Sequence, residues 1–322
     1  MQQIILANPM GFCAGVERAI NIVEHALRIY KAPIYVKHEL VHNKHIINNF
    51  HKRGVIFIES ISQVPDNAVL IFSAHGVSKK IKYEVNLRKF TMVYDATCPL
   101  VTRVHMDVKK ASNLGKEIIL IGHAGHPEVE GTIGQYDNKK AGIYLIESEN
   151  DIYNLKIKNE NHLCYMTQTT LSISDTKSII NALHIRFPKI TGPRKEHICY
   201  ATTNRQIAVN TLINKIDILI VVGSKNSSNS NRLLEIGQQY GIPSFLIDYP
   251  KDIQIAQLNN IKNIGITAGA STPNFIVQNI INYIKKTLKI TTVIKLPGVD
   301  EKIIFPIPKK FKDNLINYKT IK

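Results

Sequence analysis

An α/β protein built on parallel sheets is what the amino-acid sequence predicts, on three observations. Short apolar runs such as Ile118–Ile121 and Ile218–Val222 alternate with segments whose apolar residues recur at helical spacing. Most of those runs end in loops of small or polar residues, as a strand does when it enters a crossover helix. Three of the four cysteines, Cys13, Cys98 and Cys199, each lie in such a segment just ahead of a helical stretch, 85 and 101 residues apart. The weak repeat predicts three α/β units of roughly domain length.

The elements follow in order. Gln3–Ala7 reads as a strand, Asn8–Gly11 as a loop, and Ala14–Tyr30 as a helix with Val16, Ala19, Ile20, Val23, Ala26 and Leu27 on its apolar stripe. Ile34–Val36, Val55–Ile58 and Val69–Phe72 are further strands, the last ending in Ser73-Ala74-His75-Gly76-Val77. Strand Thr91–Tyr94 leads to Cys98, and Pro99 suits the first turn of the next helix. Ile118–Ile121 runs into a loop rich in titratable groups, through Gly131. Tyr144–Ile146 and Leu163–Thr167 are strands, with a helix near Ser174 after the second. Gln206–Lys215 has helical period, and Ile218–Val222 is a buried strand ending in a Ser/Asn run over 226–231, with a helix beginning near Asn231. Phe245–Ile247 and Ile264–Thr267 are strands, and a helix carries Ile276, Ile280, Ile281 and Ile284. Beyond Ile290, Pro297, Pro306 and Pro308 predict an irregular cover.

Composition narrows the function classes. The 322 residues suit two or three domains, with 44% hydrophobic and 20% charged residues, ordinary for a soluble globular protein. No basic region precedes a long apolar stretch at the N-terminus, and no apolar run has bilayer-spanning length, so a cytoplasmic protein without a membrane partner is expected. The net charge of +16 would raise nucleic acid as a partner, yet the lysines are scattered, in small clusters such as Lys79–Lys80, Lys109–Lys110, Lys285–Lys286 and Lys309–Lys310. Abundant Lys, Ile and Asn together are what an A·T-rich genome produces, so nucleic acid is not expected.

Several groups carry chemistry. In a reducing compartment the cysteines are metal ligands, catalytic groups or buried small hydrophobes, and no C-x-x-C is present. Thiolates suit zinc or iron–sulfur clusters; zinc structural sites favour four ligands in close pairs, whereas these are single and far apart, and three cysteines on a four-iron cluster would leave one iron open. Cys164, inside Leu163–Met166, reads as structural. The Ser/Asn run and Ser271 stand at strand-to-helix turns, where anion binding and ordinary helix capping compete as explanations. His42, His75, His123 and His126 lie at or near loop ends, and the His123–His126 spacing is not that of zinc proteases, because a strand–Gly–Pro context disfavours a regular helix there. Glu128 and Glu130 follow in the same loop, so metal binding, acid–base chemistry and anion binding all remain open for it.

The motifs Asn-Pro-Met-Gly-Phe-Cys-Ala-Gly-Val at 8–16, Ser-Ala-His-Gly-Val at 73–77, Asp-Ala-Thr-Cys-Pro-Leu-Val at 95–101, Gly-His-Ala-Gly-His-Pro-Glu-Val-Glu-Gly at 122–131, Thr-Gln-Thr-Thr-Leu at 167–171 and Gly-Ser-Lys-Asn-Ser-Ser-Asn-Ser at 223–230 stand in one order. Together they resemble the 4-hydroxy-3-methylbut-2-enyl diphosphate reductases, which close the methylerythritol phosphate route to isoprenoids. The resemblance covers residues 1 to about 290. It implies three similar α/β domains, with mainly parallel sheets, in pseudo-threefold array around a central [4Fe–4S] cluster. The domains are expected at 14–97, at 98–194 and at 195–290 with 1–13, followed by a tail at 291–322. By the same resemblance Cys13, Cys98 and Cys199 hold the cluster and leave one iron open to substrate. His42, His75 and His126, with Ser227, Ser228, Asn229 and Ser271, bind the diphosphate. Glu128 is the proton donor and Thr169 its partner near the substrate hydroxyl, which leaves His123 and Glu130 without a direct role, to shape the loop or to support the residues that touch substrate. A ferredoxin or flavodoxin is the implied electron donor. The competing expectation is a zinc-dependent hydrolase of a phosphorylated small molecule.

Overall fold

The structure, a computed structural model, describes residues 2–308. Lys309–Lys310 and the remainder of the expected tail lie outside the described residues. The strands are β1 (Gln3–Leu6), β2 (Ile34–Lys37), β3 (Val55–Ile58), β4 (Val69–Phe72), β5 (Met92–Asp95) and β6 (Glu117–Ile121). They continue as β7 (Ile143–Ile146), β8 (Leu163–Thr167), β9 (Ile218–Val222), β10 (Ser244–Ile247), β11 (Asn263–Ala268) and β12 (Thr292–Lys295). The helices are α1 (Ala14–Tyr30), α2 (Lys44–Lys52), α3 (Lys79–Asn86), α4 (Pro99–Asn113) and α5 (Pro127–Ile133). After them come α6 (Glu149–Ile152), α7 (Ile173–Arg186), α8 (Tyr200–Ile213), α9 (Ser228–Gln239) and α10 (Asn274–Leu288). No helix among the described residues is long and apolar enough to cross a membrane.

The strands form three sheets, ordered β10-β9-β11-β1-β12, β3-β2-β4-β5 and β7-β6-β8, and all their pairings are parallel. Parallel strands must be covered on both faces, which is why β4, β9 and, after Glu117, β6 are unbroken apolar runs rather than alternating. By chain contacts there are two compact units.

One unit takes, among the described residues, 2–14, 42–46 and 200–304 and holds the five-stranded sheet. One of its cores joins Ile4, Ile220, Ile264 and Ile266 to Ile276, Ile280 and Ile284 of α10. Another joins Ile5, Leu219 and Val221 to Val209 and Leu212 of α8 and Leu233 of α9. β1 pairs with β11 and β12, so this sheet draws its strands from both ends of the chain.

The other unit takes, among the described residues, 15–41, 47–199 and 305–308, and holds the four- and three-stranded sheets. Its cores gather Leu70, Phe72 and Val85 around the former, and Ile119, Ile121, Ile179 and Leu183 on the latter. The pairs Phe72↔Asp95 and Ile121↔Thr167 end level, so the turns after β4, β5, β6 and β8 emerge at strand C-termini. In the first unit Val222↔Ala268 does the same for the turns after β9 and β11. Such ends are where open α/β sheets bind ligands.

Four local expectations are corrected. The loop expected through Gly131 becomes helix α5 at Pro127, because His126 caps it and proline is at home at a first helical position. The helix expected near Asn231 begins at Ser228 with Ser227 as N-cap, and the one expected over Gln206–Lys215 is Tyr200–Ile213. The tail is not wholly irregular, since Thr292–Lys295 extends the first unit's sheet beside β1.

Candidate active site

Glu128 is a buried acid of the second unit, held at both of its carboxylate oxygens. β6 is buried along its whole length and ends in a turn that reverses into α5. His126 Nδ1 accepts the Glu128 N–H at 3.1 Å, which fixes the imidazole as a cap and leaves Nε2 as the ring's N–H donor. Glu128 is 3% exposed. Its Oε1 accepts the Thr169 backbone N–H at 2.6 Å, and its Oε2 accepts the Thr169 hydroxyl at 3.0 Å. Burial pushes the carboxyl up to about 7, against the two Thr169 hydrogen bonds, which pull it down.

The pairing of β6 with β8 is what brings Thr169 there, as Gln168 N–H donates to Ile121 O at 2.8 Å. Thr169 O then accepts the Cys199 N–H at 3.0 Å. On the other side, the His75 and His126 rings meet edge to face at 5.7 Å. The turn that carries His75 is clamped to α5 by Lys79 N–H on Gly134 O and by Gln135 Nε2 on Val77 O. Gly76 has φ +80° and a Cβ there would stand 2.6 Å from the His105 ring, so the turn needs glycine. Ala74 O accepts the Cys98 N–H at 3.0 Å. A continuous series of contacts therefore links Cys98, His75, His126, Glu128, Thr169 and Cys199 within one unit.

The first unit presents the remaining residues. Cys13 N–H donates to Ala270 O at 3.1 Å, and the neighbouring Ser271 hydroxyl donates to His42 O at 2.8 Å. Asn226 Nδ2 lies 3.4 Å from His42 Nδ1. Ser227 caps α9 by accepting the Ser230 N–H, and Asn229 Oδ1 accepts the Ala270 N–H at 2.8 Å, joining the turns after β9 and β11. Ser227, Asn229 and Ser271 are buried and Ser228 is half-buried. The first turn of α9 thus offers backbone N–H groups and hydroxyls beside His42, a setting that favours an anion.

One pattern recurs three times. Cys13, Cys98 and Cys199 are half-buried, each at the entrance to a helix, and each donates its N–H to a turn that follows a strand. Those turns carry Ser271, His75 and Thr169 in turn. The donor set is soft thiolate in three equivalent settings, which fits an iron–sulfur group better than zinc. Among the described residues no group of three His, Cys, Asp or Glu side chains is gathered as a metal site. Cys164 differs from the three: it is buried in β8, and burial pushes its thiol up to about 11. His123 turns to Glu147 at 2.9 Å, and Glu130 is exposed on α5. Sequence reasoning missed Gln168, whose Oε1 holds the His123 N–H, and His197, buried against Asp107 two residues before Cys199.

By class this is a three-sheet parallel α/β protein that carries, at its strand ends, a buried acid and polar turns, with a cysteine hydrogen-bonded to the turn after β4, β8 and β11. The chain belongs to the LytB protein family, which it matches over residues 4–285. The 4-hydroxy-3-methylbut-2-enyl diphosphate reductase of Yersinia enterocolitica is 59% identical over 310 residues, covering 96% of this chain and 98% of the relative. That of Proteus mirabilis is 58% identical over 319 residues, covering 99% of both. Among solved structures, the E-1-hydroxy-2-methyl-but-2-enyl-4-diphosphate reductase of Plasmodium falciparum superposes with a TM-score of 0.94 at 38% identity, covering 99% of both chains. Another (E)-4-hydroxy-3-methyl-but-2-enyl diphosphate reductase gives a TM-score of 0.63 at 29% identity, covering 89% of this chain and all of the other.

Proposed function

We propose that this chain reductively removes the hydroxyl of 4-hydroxy-3-methylbut-2-enyl diphosphate, giving isopentenyl and dimethylallyl diphosphate in isoprenoid biosynthesis. It is a reductase, as its relatives with almost complete mutual coverage are named. The zinc-dependent hydrolase finds no support, since those relatives are reductases.

The observation that carries the chemistry is the buried Glu128 with its carboxyl near 7. The reaction consumes two electrons and two protons: the allylic C–O bond breaks, the oxygen leaves as water, and a C–H bond forms. A carboxyl poised near neutrality can hold a proton for that oxygen and give it up on demand. Thr169 holds the carboxyl in place through both of its oxygens. Cys13, Cys98 and Cys199 would hold a [4Fe–4S] cluster at the centre of a pseudo-threefold array of three α/β domains, at 14–97, 98–194 and 195–290 with 1–13. When bound, that group would supply electrons singly and an open iron for the substrate hydroxyl.

His42, His75 and His126, with Ser227, Ser228, Asn229 and Ser271, bind the diphosphate. Supporting this are the first turn of α9 and the His126 tautomer, whose Nε2–H is a donor suited to phosphate oxygen. Holding the diphosphate fixes the distal allyl group, and protonation at one or other end of that group gives the two products. A ferredoxin or flavodoxin in the cytoplasm delivers the electrons.

The test is anaerobic turnover of the iron- and sulfide-reconstituted chain with the allylic diphosphate and a one-electron donor. Formation of both isomeric diphosphates supports the reading. Absence of product from a chain that carries four irons and four sulfides overturns it.

A further inference from the structure

Each segment leading into one of the three cysteines is gripped by an arginine, and the three grips obey one rule. Arg18, on α1 five residues after Cys13, donates to Thr97 O at 3.0 Å and Asp95 O at 3.3 Å, just ahead of Cys98. Arg103, on α4 five residues after Cys98, donates to Glu196 O, three residues ahead of Cys199. Arg205, on α8 six residues after Cys199, donates to Gly11 O at 2.9 and 2.6 Å and to Phe12 O at 2.9 Å, just ahead of Cys13. The helix that follows one cysteine carries the arginine for the segment before the next, and the cycle closes on itself.

These are expensive contacts to maintain. Arg205 is 1% exposed, and its remaining donors go to Ala201 O and to Glu301. Arg18 is half-buried and braced by Pro306 O at 2.9 Å, and its charge is felt at Cys98. Beside Arg103, Asp107 on the same helix accepts from His197 Nε2 at 2.9 Å, two residues ahead of Cys199. A guanidinium buried on carbonyl oxygens pays a desolvation cost that an apolar side chain avoids. What it alone provides is a planar set of donors, which in Arg18 and Arg205 fixes two carbonyls at once and in Arg103 one, together with a permanent positive charge.

We propose that Arg18, Arg103 and Arg205 are positioning residues, each holding the approach to one cysteine so that its thiolate stays aimed and electrostatically balanced for the iron–sulfur group. The proposal rests on the reading of those cysteines as ligands. Two effects separate within it. The fork restrains the ligand sulfur and so slows loss of the group, while the charge favours its reduced form.

The experiment uses the full chain, reconstituted anaerobically with ferrous iron and sulfide. Iron and sulfide content, the rate of iron loss to a chelator, and the reduction potential from EPR-monitored titration are measured for wild type and variants. Arg18→Gln should lose iron about tenfold faster and titrate at a more negative potential. Arg18→Lys should keep the potential and still lose iron faster, since it retains charge without the fork. Arg205→Lys should behave as Arg18→Lys does; if it fails to fold, the Arg18 pair decides. Arg186→Gln is the control: Arg186 also grips two carbonyls, Tyr153 O and Leu155 O, but ahead of no cysteine, and its loss should change neither quantity. Wild-type loss rate and potential in Arg18→Gln would overturn the proposal, as would an equal effect in Arg186→Gln. A wild-type chain that takes up no iron would overturn the ligand reading first and this proposal with it.

Discussion

Thr169 occupies both carboxylate oxygens of Glu128, with its backbone N–H on Oε1 at 2.6 Å and its hydroxyl on Oε2 at 3.0 Å. The acid is thereby fixed at two points by one residue while burial still holds its carboxyl near 7. Glu128→Gln keeps the shape and an acceptor for the Thr169 N–H but cannot give up a proton. Turnover should fall by about 10²–10⁴, with iron and sulfide content unchanged. A variant of full activity would remove Glu128 from the chemistry.

The same burial makes stability depend on pH. A carboxyl raised from 4.5 to about 7 binds its proton more tightly folded than unfolded, so the wild type loses stability as pH rises through that window and is level above it. The loss amounts to about 3 kcal/mol. Urea midpoints of Glu128→Gln should therefore gain on the wild type between pH 5 and pH 8. An equal gap at both values would mean that the carboxyl is not raised.

Thr169→Val removes the hydroxyl that stabilises the charged carboxylate and leaves the backbone N–H in place. The Glu128 carboxyl should rise further, because a hydrogen bond favouring its ionised form is lost. The alkaline limb of kcat/KM, expected near pH 7 in the wild type, should move to higher pH. A limb that stays put would detach the pH profile from this pair.

Much of this was legible in the sequence because parallel strands buried on both faces read as unbroken apolar runs. β4, β6 and β9 stand where Val69–Phe72, Ile118–Ile121 and Ile218–Val222 predict them. Helix starts were less legible where polar residues have two uses. The Ser/Asn run reads as a loop, yet Ser227 is a cap and Ser228 and Asn229 are already helical. Pro127 after two glycines reads as a breaker, yet a proline at a first helical position begins α5. The arginine grips have no sequence signal, since each joins residues 77 or more apart and a mid-helix arginine looks like a solvated one. The burial that raises the Glu128 carboxyl comes from packing across the chain, with Thr169 41 residues away in sequence, and no local pattern announces it.

The four cysteines should divide three to one. Cys98→Ser should lower iron content and hasten its loss, because serine is a poor ligand for iron in a sulfide cluster. Cys164 has its thiol pushed up to about 11 and lies within β8, so it is a small apolar side chain at neutral pH. Cys164→Ala should keep its iron and its activity, with a stability loss of about 1 kcal/mol. Iron lost from Cys164→Ala, or retained in full by Cys98→Ser, would reverse the assignment.

The Arg205–Glu301 pair makes the C-terminal segment structural rather than decorative. Arg205 is 1% and Glu301 11% exposed, at 3.0 Å, and Asn204 Nδ2 also donates to Glu301 at 2.9 Å. Glu301→Ala leaves a buried guanidinium with carbonyls alone as partners, and breaking a buried pair from one side costs about 3–5 kcal/mol. The loss should appear as a lower urea midpoint for the unit built on the five-stranded sheet. Burial also sets its salt dependence: the difference between variant and wild type should survive in 1 M salt, where exposed pairs are screened. A difference that vanishes at high salt would place the pair in water, and one absent at all salt concentrations would leave Arg205 satisfied by Gly11, Phe12 and Ala201 without it.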